Sequence, residues 1–369
     1  MVLSVWTTTV RGESVNVYIG TYTRGESKGI YRATFDTDSG ELTETELVAE
    51  TDDPSFLAIH PNGKFLYSVN ETADRRGIDK KPSGGVSSFA IEESGKLKFL
   101  NEQPSHGAAP CHLVTDKAGK FLYVANYTGG NVAAFAIEPN GRLSQILQVV
   151  QHSGSGKNKQ RQKGPHAHSI NLSASGKFAM AADLGIDSIA IYKVDSESGR
   201  LTTSGGARLA AGSGPRHFAF HPTKNFAYVI NELNLTITAF DFDPESGQLI
   251  DIETKSTIPD EEAGPGKSTA EIVVHPSGKF VYGSNRGPDS IAVFSIDQDT
   301  GKLTHVENES TQGKTPRNFA IAPGGKYLLA ENQGSNTVVV FSIDQETGAL
   351  EPTGTKIDVP SPVCIRFHK

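Results

Sequence analysis

One hairpin motif recurs along the whole chain, and it limits the possible fold more than any other feature. In Gly214–Glu232, which reads GPRHFAFHPTKNFAYVINE, two short apolar runs flank a tight turn. Two such runs separated by turn residues are typical of a β-hairpin. In an antiparallel hairpin the first strand begins beside the end of the second, so Arg216 and Glu232 should be neighbours. Related stretches begin at Asp53, Ala109, Gly164, Ser268, Thr315 and Ser361.

The repeats have a regular spacing. Their turn residues lie 56, 57, 48, 54 and 47 residues apart, at Lys64, Lys120, Lys177, Asn225, Lys279 and Lys326. Most hairpins are followed by a third apolar strand. A Gly-x-Leu motif then leads into a fourth strand. A period of about 50 residues with four short strands per repeat indicates a β-propeller in which each repeat is one blade.

The two ends of the chain complement each other. The C-terminal SPVCIRF (Ser361–Phe367) supplies only a first strand, and VNVYIGTYT (Val15–Thr23) matches a second strand that a third and a fourth follow. We therefore predict an all-β fold, a seven-bladed β-propeller of four-stranded blades whose N- and C-terminal strands share one blade. Closing the ring in this way removes exposed strand edges. Residues 15–369 would form a single domain after an N-terminal extension of residues 1–14.

Composition narrows the class of partner. The net charge of −7 and the pI near 5.9 argue against nucleic acid, which normally requires a basic face. No apolar run approaches the roughly 18–20 residues that span a bilayer, so no membrane partner is expected. The first residues lack the charged and apolar regions of a signal peptide, and two cysteines are too few for a disulfide framework. These features predict a cytoplasmic protein and leave its oligomeric state open.

Two polar insertions interrupt the period. Glu71–Gly85 follows a second strand and Gln151–Gly164 precedes a first strand, and both are rich in glycine or other turn residues. We predict that they are loops on the same face as Arg216 and Glu232, where functional residues often lie above a rigid scaffold.

Residues that differ between the repeats are the candidates for function. A structural requirement would give one residue type at equivalent positions, as it does for the turn Gly-Lys-Phe. The positions equivalent to Arg216 and Glu232 instead vary from blade to blade. The varied polar residues from consecutive blades are His168, Arg216, Glu232, Arg286 and Arg317. They are predicted to line the mouth of the central channel, a concave site of the usual kind.

Residues that recur in register are interpreted as structural. These are Asn70, Asn126, Asn231, Asn285 and Asn332, and the histidines before turns, His60, His221 and His275. His166 and His168 form a pair that the other blades lack, but further ligands at zinc spacing are missing, so no metal site is predicted. His112 and His217 share a register and are secondary candidates. The basic run Lys157–Lys163 is either a solvated loop or a contact for an anionic substrate.

The candidate residues suit a small anionic substrate. Guanidinium groups bind carboxylate or phosphate through paired hydrogen bonds, and a histidine can transfer protons near neutral pH. The sequence contains no nucleophile elbow, phosphate-cradling loop or dinucleotide fingerprint in a strand–helix context. Proton transfer with charge stabilisation is the chemistry that remains. The simpler alternative is that Arg216 and Glu232 only form a salt bridge at the end of a hairpin.

The motifs also resemble a known family. VYIGTYTRGESKGIY, the repeated HPxGKFxY, GPHAHS and GPRHFAFHP are similar to the seven-bladed propeller lactonases, over about Val15 to Phe367. That family includes bacterial 6-phosphogluconolactonases and fungal 3-carboxy-cis,cis-muconate lactonizing enzymes. The resemblance implies reversible lactone chemistry without a metal or an organic cofactor. By motif, the resemblance implies that the site residues of the family correspond to His168 (or His166), Arg216, Glu232 and Arg286.

A catalytic hypothesis follows from the residues and the resemblance together. His168, Glu232 and Arg216 would be catalytic, with Glu232 or His168 as general base and the arginines stabilising negative charge. Arg286, Arg317, His166 and His217 would bind the substrate. The substrate would be a small anionic sugar lactone, with 6-phosphogluconolactone preferred. Two alternatives stay open at this point, a cycloisomerase of the muconate type and a non-catalytic propeller that binds a ligand or a protein.

Overall fold

The computed structural model describes residues 13–77, 80–259 and 264–369, and their strands form seven four-stranded antiparallel sheets. The predicted seven-bladed β-propeller is confirmed. Most of the predicted N-terminal extension, residues 1–12, lies outside the described residues. Within these ranges two single-turn 3₁₀ helices accompany the strands, at Leu184–Ile186 and Gln333–Ser335. None of the described helices is long and apolar enough to cross a membrane.

Within each blade the four strands follow one another from the channel outward. Blade 1 consists of β4 (Leu57–Ile59), β5 (Phe65–Arg76), β6 (Pro82–Ile91) and β7 (Leu97–Pro104). Blade 2 consists of β8 (Pro110–Thr115), β9 (Phe121–Asn126), β10 (Asn131–Ile137) and β11 (Leu143–Gln151). Blade 3 consists of β12 (Ala167–Leu172), β13 (Phe178–Asp183), β14 (Ser188–Val194) and β15 (Leu201–Arg208).

The second half of the ring has the same arrangement. Blade 4 consists of β16 (Pro215–Phe220), β17 (Phe226–Asn231), β18 (Thr236–Phe242) and β19 (Leu249–Ser256). Blade 5 consists of β20 (Ser268–Val274), β21 (Phe280–Arg286), β22 (Ser290–Ile296) and β23 (Leu303–Ser310). Blade 6 consists of β24 (Pro316–Ile321), β25 (Tyr327–Asn332), β26 (Thr337–Ile343) and β27 (Leu350–Asp358). Blade 7 consists of β28 (Pro362–His368), β1 (Ser14–Thr21), β2 (Gly29–Asp36) and β3 (Glu46–Glu50).

Blade 7 closes the ring as the sequence predicts. The last strand, β28, pairs antiparallel with β1, from Asn16 opposite His368 to Thr21 opposite Pro362. The innermost strands of successive blades contact one another around the circle, including β28 with β4. The hydrophobic core lies between neighbouring sheets, where the apolar faces of adjacent blades pack together. The seven innermost strands therefore surround a central channel.

The recurring histidines link neighbouring blades. The Nε2 atoms of His60, His221 and His275 lie 2.9, 2.9 and 2.8 Å from the carbonyl oxygens of Gly119, Gly278 and Gly325 in the next blade. Because each Nδ1 accepts a main-chain N–H from its own turn, Nε2 must carry the proton and donate it. His368 makes the same contact with Gly63 at 2.7 Å, across the closing blade. The structural interpretation of these histidines agrees with their contacts.

The recurring asparagines satisfy the backbone near the channel mouth. Asn70, Asn126, Asn285 and Asn332 are fully buried, and their side-chain amides donate to carbonyl oxygens of the preceding connection. A buried carbonyl without a partner costs about 1–3 kcal/mol, which explains why the repeats keep this residue. Blade 3 has Asp183 at this position.

The first polar insertion differs from its prediction. Glu71–Gly85 is mostly an extension of β5 and β6, which reach Arg76 and begin again at Pro82, rather than a loop. Further pairs continue the ladder, with Arg75 opposite Ser83 and Arg76 opposite Pro82. Turn residues within the segment concealed the strand pattern, and residues 78 and 79 lie outside the described residues.

The histidine links give a test of stability. Gly119 has a φ of +68°, and a Cβ atom there would lie 2.2 Å from Nε2 of His60. Gly176 occupies the equivalent turn of blade 3 with a φ of +71°, but has nothing within 4 Å. Both changes to alanine incur the left-handed backbone strain of about 1–3 kcal/mol, and Gly119→Ala adds an overpacking cost of about 1–3 kcal/mol. Urea unfolding should show Gly119→Ala as clearly the less stable variant.

A double variant isolates the clash. When His60 is already alanine, the imidazole is absent and Gly119→Ala should lower the free energy of unfolding by about as much as Gly176→Ala does in the wild-type protein. Equal losses for Gly119→Ala and Gly176→Ala in the presence of His60 would contradict the proposed contact.

Candidate active site

A β-bulge that recurs in the innermost strands directs the side chains of the variable residues into the channel. In six innermost strands one extra residue interrupts the pairing with the second strand. In four of these strands the extra residue lies at one of the variable positions, and these residues are Cys111, His168, Arg216 and Arg317. Such β-bulges change the direction of a side chain and are frequent beside active sites.

The residues before the bulges hold this geometry. Ala109, Gly214 and Thr315 have φ values of +53°, +63° and +58°, and a proline follows each of them. The carbonyl of Gly214 accepts the main-chain N–H of Glu232 at 2.8 Å, which fixes the end of the second strand beside the bulge. In blade 1 the carbonyl of Asp53 accepts the N–H of Glu71 at 3.0 Å in the same way.

Glu232 is the centre of a cluster of arginines. Its Oε2 atom lies 3.0 Å from Nε of Arg216 and 3.0 Å from a terminal nitrogen of Arg286, and its Oε1 atom lies 2.6 Å from Arg161. The expected contact between Arg216 and Glu232 is therefore present, and it belongs to a network of four residues. The Glu232 side chain is only 4% exposed. Both of its oxygen atoms are already used by guanidinium groups.

The cluster fixes the charges of its members. Burial by itself would raise the pKa of Glu232, but Arg286, Arg216 and Arg161 outweigh it and lower the pKa to about 2. Burial and the neighbouring Arg317 and Arg286 lower the pKa of Arg216 to about 10, which leaves it charged at neutral pH. Arg216 and Arg286 also donate to the carbonyl oxygens of Ala270 and Thr269. These bonds hold the two guanidinium groups in place.

His168 lies beside the arginines as a neutral imidazole. Burial and the positive charge of Arg216 hold its pKa well below the usual value. Its Nδ1 atom is 3.5 Å from the sulfur of Cys111. Burial raises the pKa of that thiol, and Glu71 raises it further, so Cys111 is a protonated thiol rather than a nucleophile.

Arg317 differs from the other three arginines. Among the described residues it forms no hydrogen bond or ion pair, and its guanidinium lies over the ring of Tyr22, 5.2 Å from the centroid. Both Glu71 and Glu232 act on it electrostatically. Arg317 and Tyr22 line a cavity of about 600 Å³ together with Gln333 and Ser361. An unpaired guanidinium at the wall of a cavity is a site for an anion.

Tyr22 connects this cavity to a second carboxylate. The hydroxyl of Tyr22 donates to Oε2 of Glu71 at 2.7 Å, and the hydroxyl of Ser55 donates to the same atom. Arg24 also lies over the Tyr22 ring, and it pairs with Asp53 at 3.0 Å. Glu71 and Glu232 thus occupy equivalent positions of blades 1 and 4 at the channel mouth.

The second insertion is a folded loop that delivers Arg161. His152 at its start bonds Asp183 and Tyr192, both at 2.6 Å, and these groups are buried in blade 3. Gln162, also buried, donates to Asp187 at 2.7 Å. Arg161 between these anchors reaches both Glu232 and the hydroxyl of Tyr127. The basic run Lys157–Lys163 therefore contributes one residue to the charge network.

The two remaining histidine candidates lie at different depths. His166 stacks on Tyr127 at the channel mouth, with ring centroids 4.5 Å apart. His217 lies deeper, 2.8 Å from Glu271 and in contact with the rings of His112 and Phe56. His217 and His112 line a separate cavity of about 320 Å³, which also includes Arg366 and apolar side chains. The structure thus brings His166 to the channel mouth beside Tyr127, and places His217 below the arginine cluster, where its ring contacts that of His168 with centroids 5.3 Å apart.

Sequence reasoning missed several residues of this mouth. Tyr127 and Glu71 stand at the position equivalent to Glu232 in their blades, so the comparison of repeats contained a signal for both. Tyr22 follows β1, where the shared blade made its register harder to recognise. Arg161 lies in a loop without an equivalent in other blades, so only the tertiary structure identifies it. Among the described residues, no group of three or more His, Cys, Asp or Glu side chains is arranged to hold a metal ion.

Comparison with known proteins agrees with the fold and with the sequence motifs. Residues 16–367 match the family described as "Lactonase, 7-bladed beta-propeller". The chain belongs to this lactonase family. A relative from Bacillus subtilis named 6-phosphogluconolactonase is 40% identical over 291 residues, covering 79% of this chain and 80% of the relative. The family resemblance predicted from the sequence is therefore confirmed.

Solved structures of related proteins superpose over nearly the whole lactonase fold. A Bacteroides fragilis protein proposed to be a 6-phosphogluconolactonase has a TM-score of 0.88 and 37% identity, covering 99% of this chain and 100% of that one. A periplasmic gluconolactonase from Pseudomonas aeruginosa also has a TM-score of 0.88, with 30% identity, covering 97% and 99%. Both names refer to a lactone substrate. The lactone carries a phosphate group in the first name and lacks it in the second.

The buried charge of Glu232 predicts a pH dependence of stability. Its pKa is lowered from 4.5 to about 2 in the folded protein, so its stabilising contribution is complete above pH 4.5 and is lost as the pH falls towards 2. The shift corresponds to a contribution on the order of 3 kcal/mol. Glu232→Gln should be less stable at neutral pH and should lose less stability between pH 5 and pH 2. Urea unfolding at several pH values measures both effects.

Glu245→Gln is the control for this comparison. Glu245 is 79% exposed in its pair with Lys177, and exposed pairs contribute only about 0–1 kcal/mol. Parallel pH profiles for Glu232→Gln and the wild-type protein would contradict the buried network.

Proposed function

We propose that this protein hydrolyses a small anionic sugar lactone, with 6-phosphogluconolactone as the preferred substrate. The observation that carries the proposal is the charge balance of the channel mouth. Arg161, Arg216 and Arg286 share the carboxylate of Glu232 there, and Arg317 is without an ionic partner among the described residues. A site with surplus positive charge favours a substrate that brings its own negative charge. The names of the relatives from Bacillus subtilis and Bacteroides fragilis support the same substrate class.

The proposed roles follow from what each side chain can still bind. Arg317 would bind the substrate or the oxygen on which charge develops, because its guanidinium is free to do so. Arg216 would act with it as the second source of positive charge at the reacting group. Arg286 and His166 would bind the outer part of the substrate at the channel mouth. The sequence predicts that His217 binds the substrate as well. We propose instead that His217, which lies deeper in the channel, holds the ring of His168 in position.

His168 and Glu232 complete the proposed site, His168 as a group that contacts the lactone or water and Glu232 as a positioning residue. His168 is neutral, so it can donate or accept one hydrogen bond to the lactone or to water without carrying charge into the site. Glu232 would keep Arg216 and Arg286 in position, since both of its oxygens are bound by guanidinium groups. The sequence predicts no cofactor, and none is part of this proposal. A cytoplasmic location, predicted from the sequence, is part of the same proposal.

Substrate preference is the first test. We expect the purified protein to open 6-phosphogluconolactone well above its spontaneous rate, with a kcat/KM at least tenfold higher than for glucono-δ-lactone. The physical reason is the additional ionic contact of the phosphate with the positive channel mouth. A pH-indicator assay, which detects the acid released from either lactone, measures both rates after correction for spontaneous opening. Equal kcat/KM values for the two lactones would exclude phosphate recognition. If neither lactone opened faster with the protein than without it, lactonase activity would be excluded.

Arg317 provides a second test. Arg317→Ala should lower kcat/KM for the phosphorylated lactone by about 100-fold or more, the usual effect of losing one preorganised charge-stabilising donor. Arg317→Lys should restore only part of the loss, because lysine lacks the planar donor pair that guanidinium presents. Arg208→Ala is the matched control, since Arg208 is exposed on β15 at the rim of blade 3. Loss below threefold in Arg317→Ala would contradict the assigned role.

A further inference from the structure

Two glutamates occupy equivalent positions at the channel mouth but have opposite surroundings. Glu232 is bound by Arg161, Arg216 and Arg286 through both of its carboxylate oxygens. Glu71 is bound only by two hydroxyl groups, those of Tyr22 and Ser55, and both of them donate to Oε2. Among the described residues, Oε1 of Glu71 has no hydrogen-bond partner, and the side chain is only half-buried.

A general base needs a free lone pair that can reach the proton it removes. Glu232 is poorly suited to this role, because its three arginine partners outweigh burial and lower its pKa to about 2, which leaves the carboxylate little affinity for a proton. Glu71 meets the requirement, since the two hydroxyl groups orient Oε2 and leave the lone pairs of Oε1 available. Tyr22 and Ser55 therefore act as positioning residues for Glu71.

The surroundings of Glu71 also place it near the charge-stabilising group. The ring of Tyr22 lies against Arg317, while its hydroxyl bonds Glu71, so one side chain contacts both the carboxylate and the unpaired guanidinium. Tyr22 and Arg317 line the same cavity of about 600 Å³. Tyr22 therefore joins the carboxylate of Glu71 to the wall of the cavity in which a lactone would meet Arg317.

We propose that Glu71 is the general base that activates water in this site, an inference that rests on the lactonase function proposed above. Oε1 of Glu71 takes one proton from water while the water oxygen bonds to the carbonyl carbon. The electron pair of the carbonyl π bond moves to its oxygen, where Arg317 stabilises the negative charge. The carbonyl then re-forms, the bond from carbon to the ring oxygen breaks, and the ring oxygen takes the proton back from Glu71. One lactone and one water give one hydroxy acid, and the carboxylate of Glu71 is regenerated.

The first experiment compares Glu71→Gln with the wild-type protein on 6-phosphogluconolactone. Glutamine keeps an oxygen for the hydroxyl groups of Tyr22 and Ser55 but cannot accept a proton at neutral pH. We expect kcat to fall by about 100-fold or more, within the range that a positioned general base contributes, and KM to change less than threefold. Glu93→Gln is the matched control, an exposed glutamate in the turn between β6 and β7 of the same blade.

The pH profile separates a base from a structural residue. In the wild-type protein the rate should fall at acidic pH as the base is protonated, and Glu71→Gln should lose this acidic limb. The titratable and charged groups that face Glu71 are Tyr22, Arg24, Cys111 and Arg317. Tyr22→Phe removes one hydroxyl from Oε2, so it should lower kcat by about tenfold and keep the acidic limb.

Chemical rescue gives an independent measurement. Glu71→Ala leaves a space in which a small carboxylate can bind. Added formate should therefore raise the kcat of this variant at least tenfold, and the effect should saturate. Formate should have no such effect on Glu232→Ala or on the wild-type protein. Circular dichroism and urea unfolding show whether each variant is folded before its rate is interpreted.

The outcomes distinguish this inference from the proposed function. A wild-type protein that opens the lactone, together with a Glu71→Gln variant within threefold of its kcat, would overturn the role of Glu71 alone. A lower kcat that keeps the acidic limb, with no rescue of Glu71→Ala by formate, would also overturn it. A wild-type protein that leaves the lactone at its spontaneous rate would overturn both proposals.

Discussion

The antiparallel pairing of β28 with β1 is the interaction on which the rest of the structure depends. It joins the two ends of the chain in one blade, so that every innermost strand has a neighbour on both sides. His368 adds a bond to Gly63 across the same junction, like the bonds that His60 and His221 make elsewhere. A closed ring holds residues from distant parts of the sequence at fixed distances. The rigid channel mouth follows from this closure.

The channel mouth shows how one scaffold gives the same residue two different properties. Glu71 and Glu232 follow the second strands of blades 1 and 4 in register, and equivalent backbone hydrogen bonds hold them. Arginines from three places in the chain surround Glu232, which becomes a permanently charged anchor. Two hydroxyl groups bind one oxygen of Glu71, and its other oxygen has no hydrogen-bond partner among the residues that the structure describes. The difference arises partly within each hairpin, where Ser55 stands at the position of Arg216, and partly from neighbouring blades and loops, which supply Tyr22 to Glu71 and Arg161 and Arg286 to Glu232.

Most of the fold could be predicted from the sequence, because the turn residues, the Gly-Lys-Phe motif and the period recur in register. The contact of Arg216 with Glu232 could also be predicted, since both lie in one hairpin. The insertion Glu71–Gly85 was wrongly predicted as a loop, because its turn residues conceal the extension of β5 and β6. Arg161 could not be identified from the comparison of repeats, since its loop has no equivalent and its position depends on the buried anchors His152 and Gln162.

The sequence by itself determined the number of blades, the shared closing blade and the face on which the variable residues lie. Strand periodicity and turn chemistry act over a few residues, so they can be recognised without knowing the rest of the chain. Only the tertiary structure decided which of the variable residues are paired and which are free. Burial and charge at Glu232, Arg317 and Glu71 depend on side chains up to several blades away in sequence, and closure of the ring brings those side chains together.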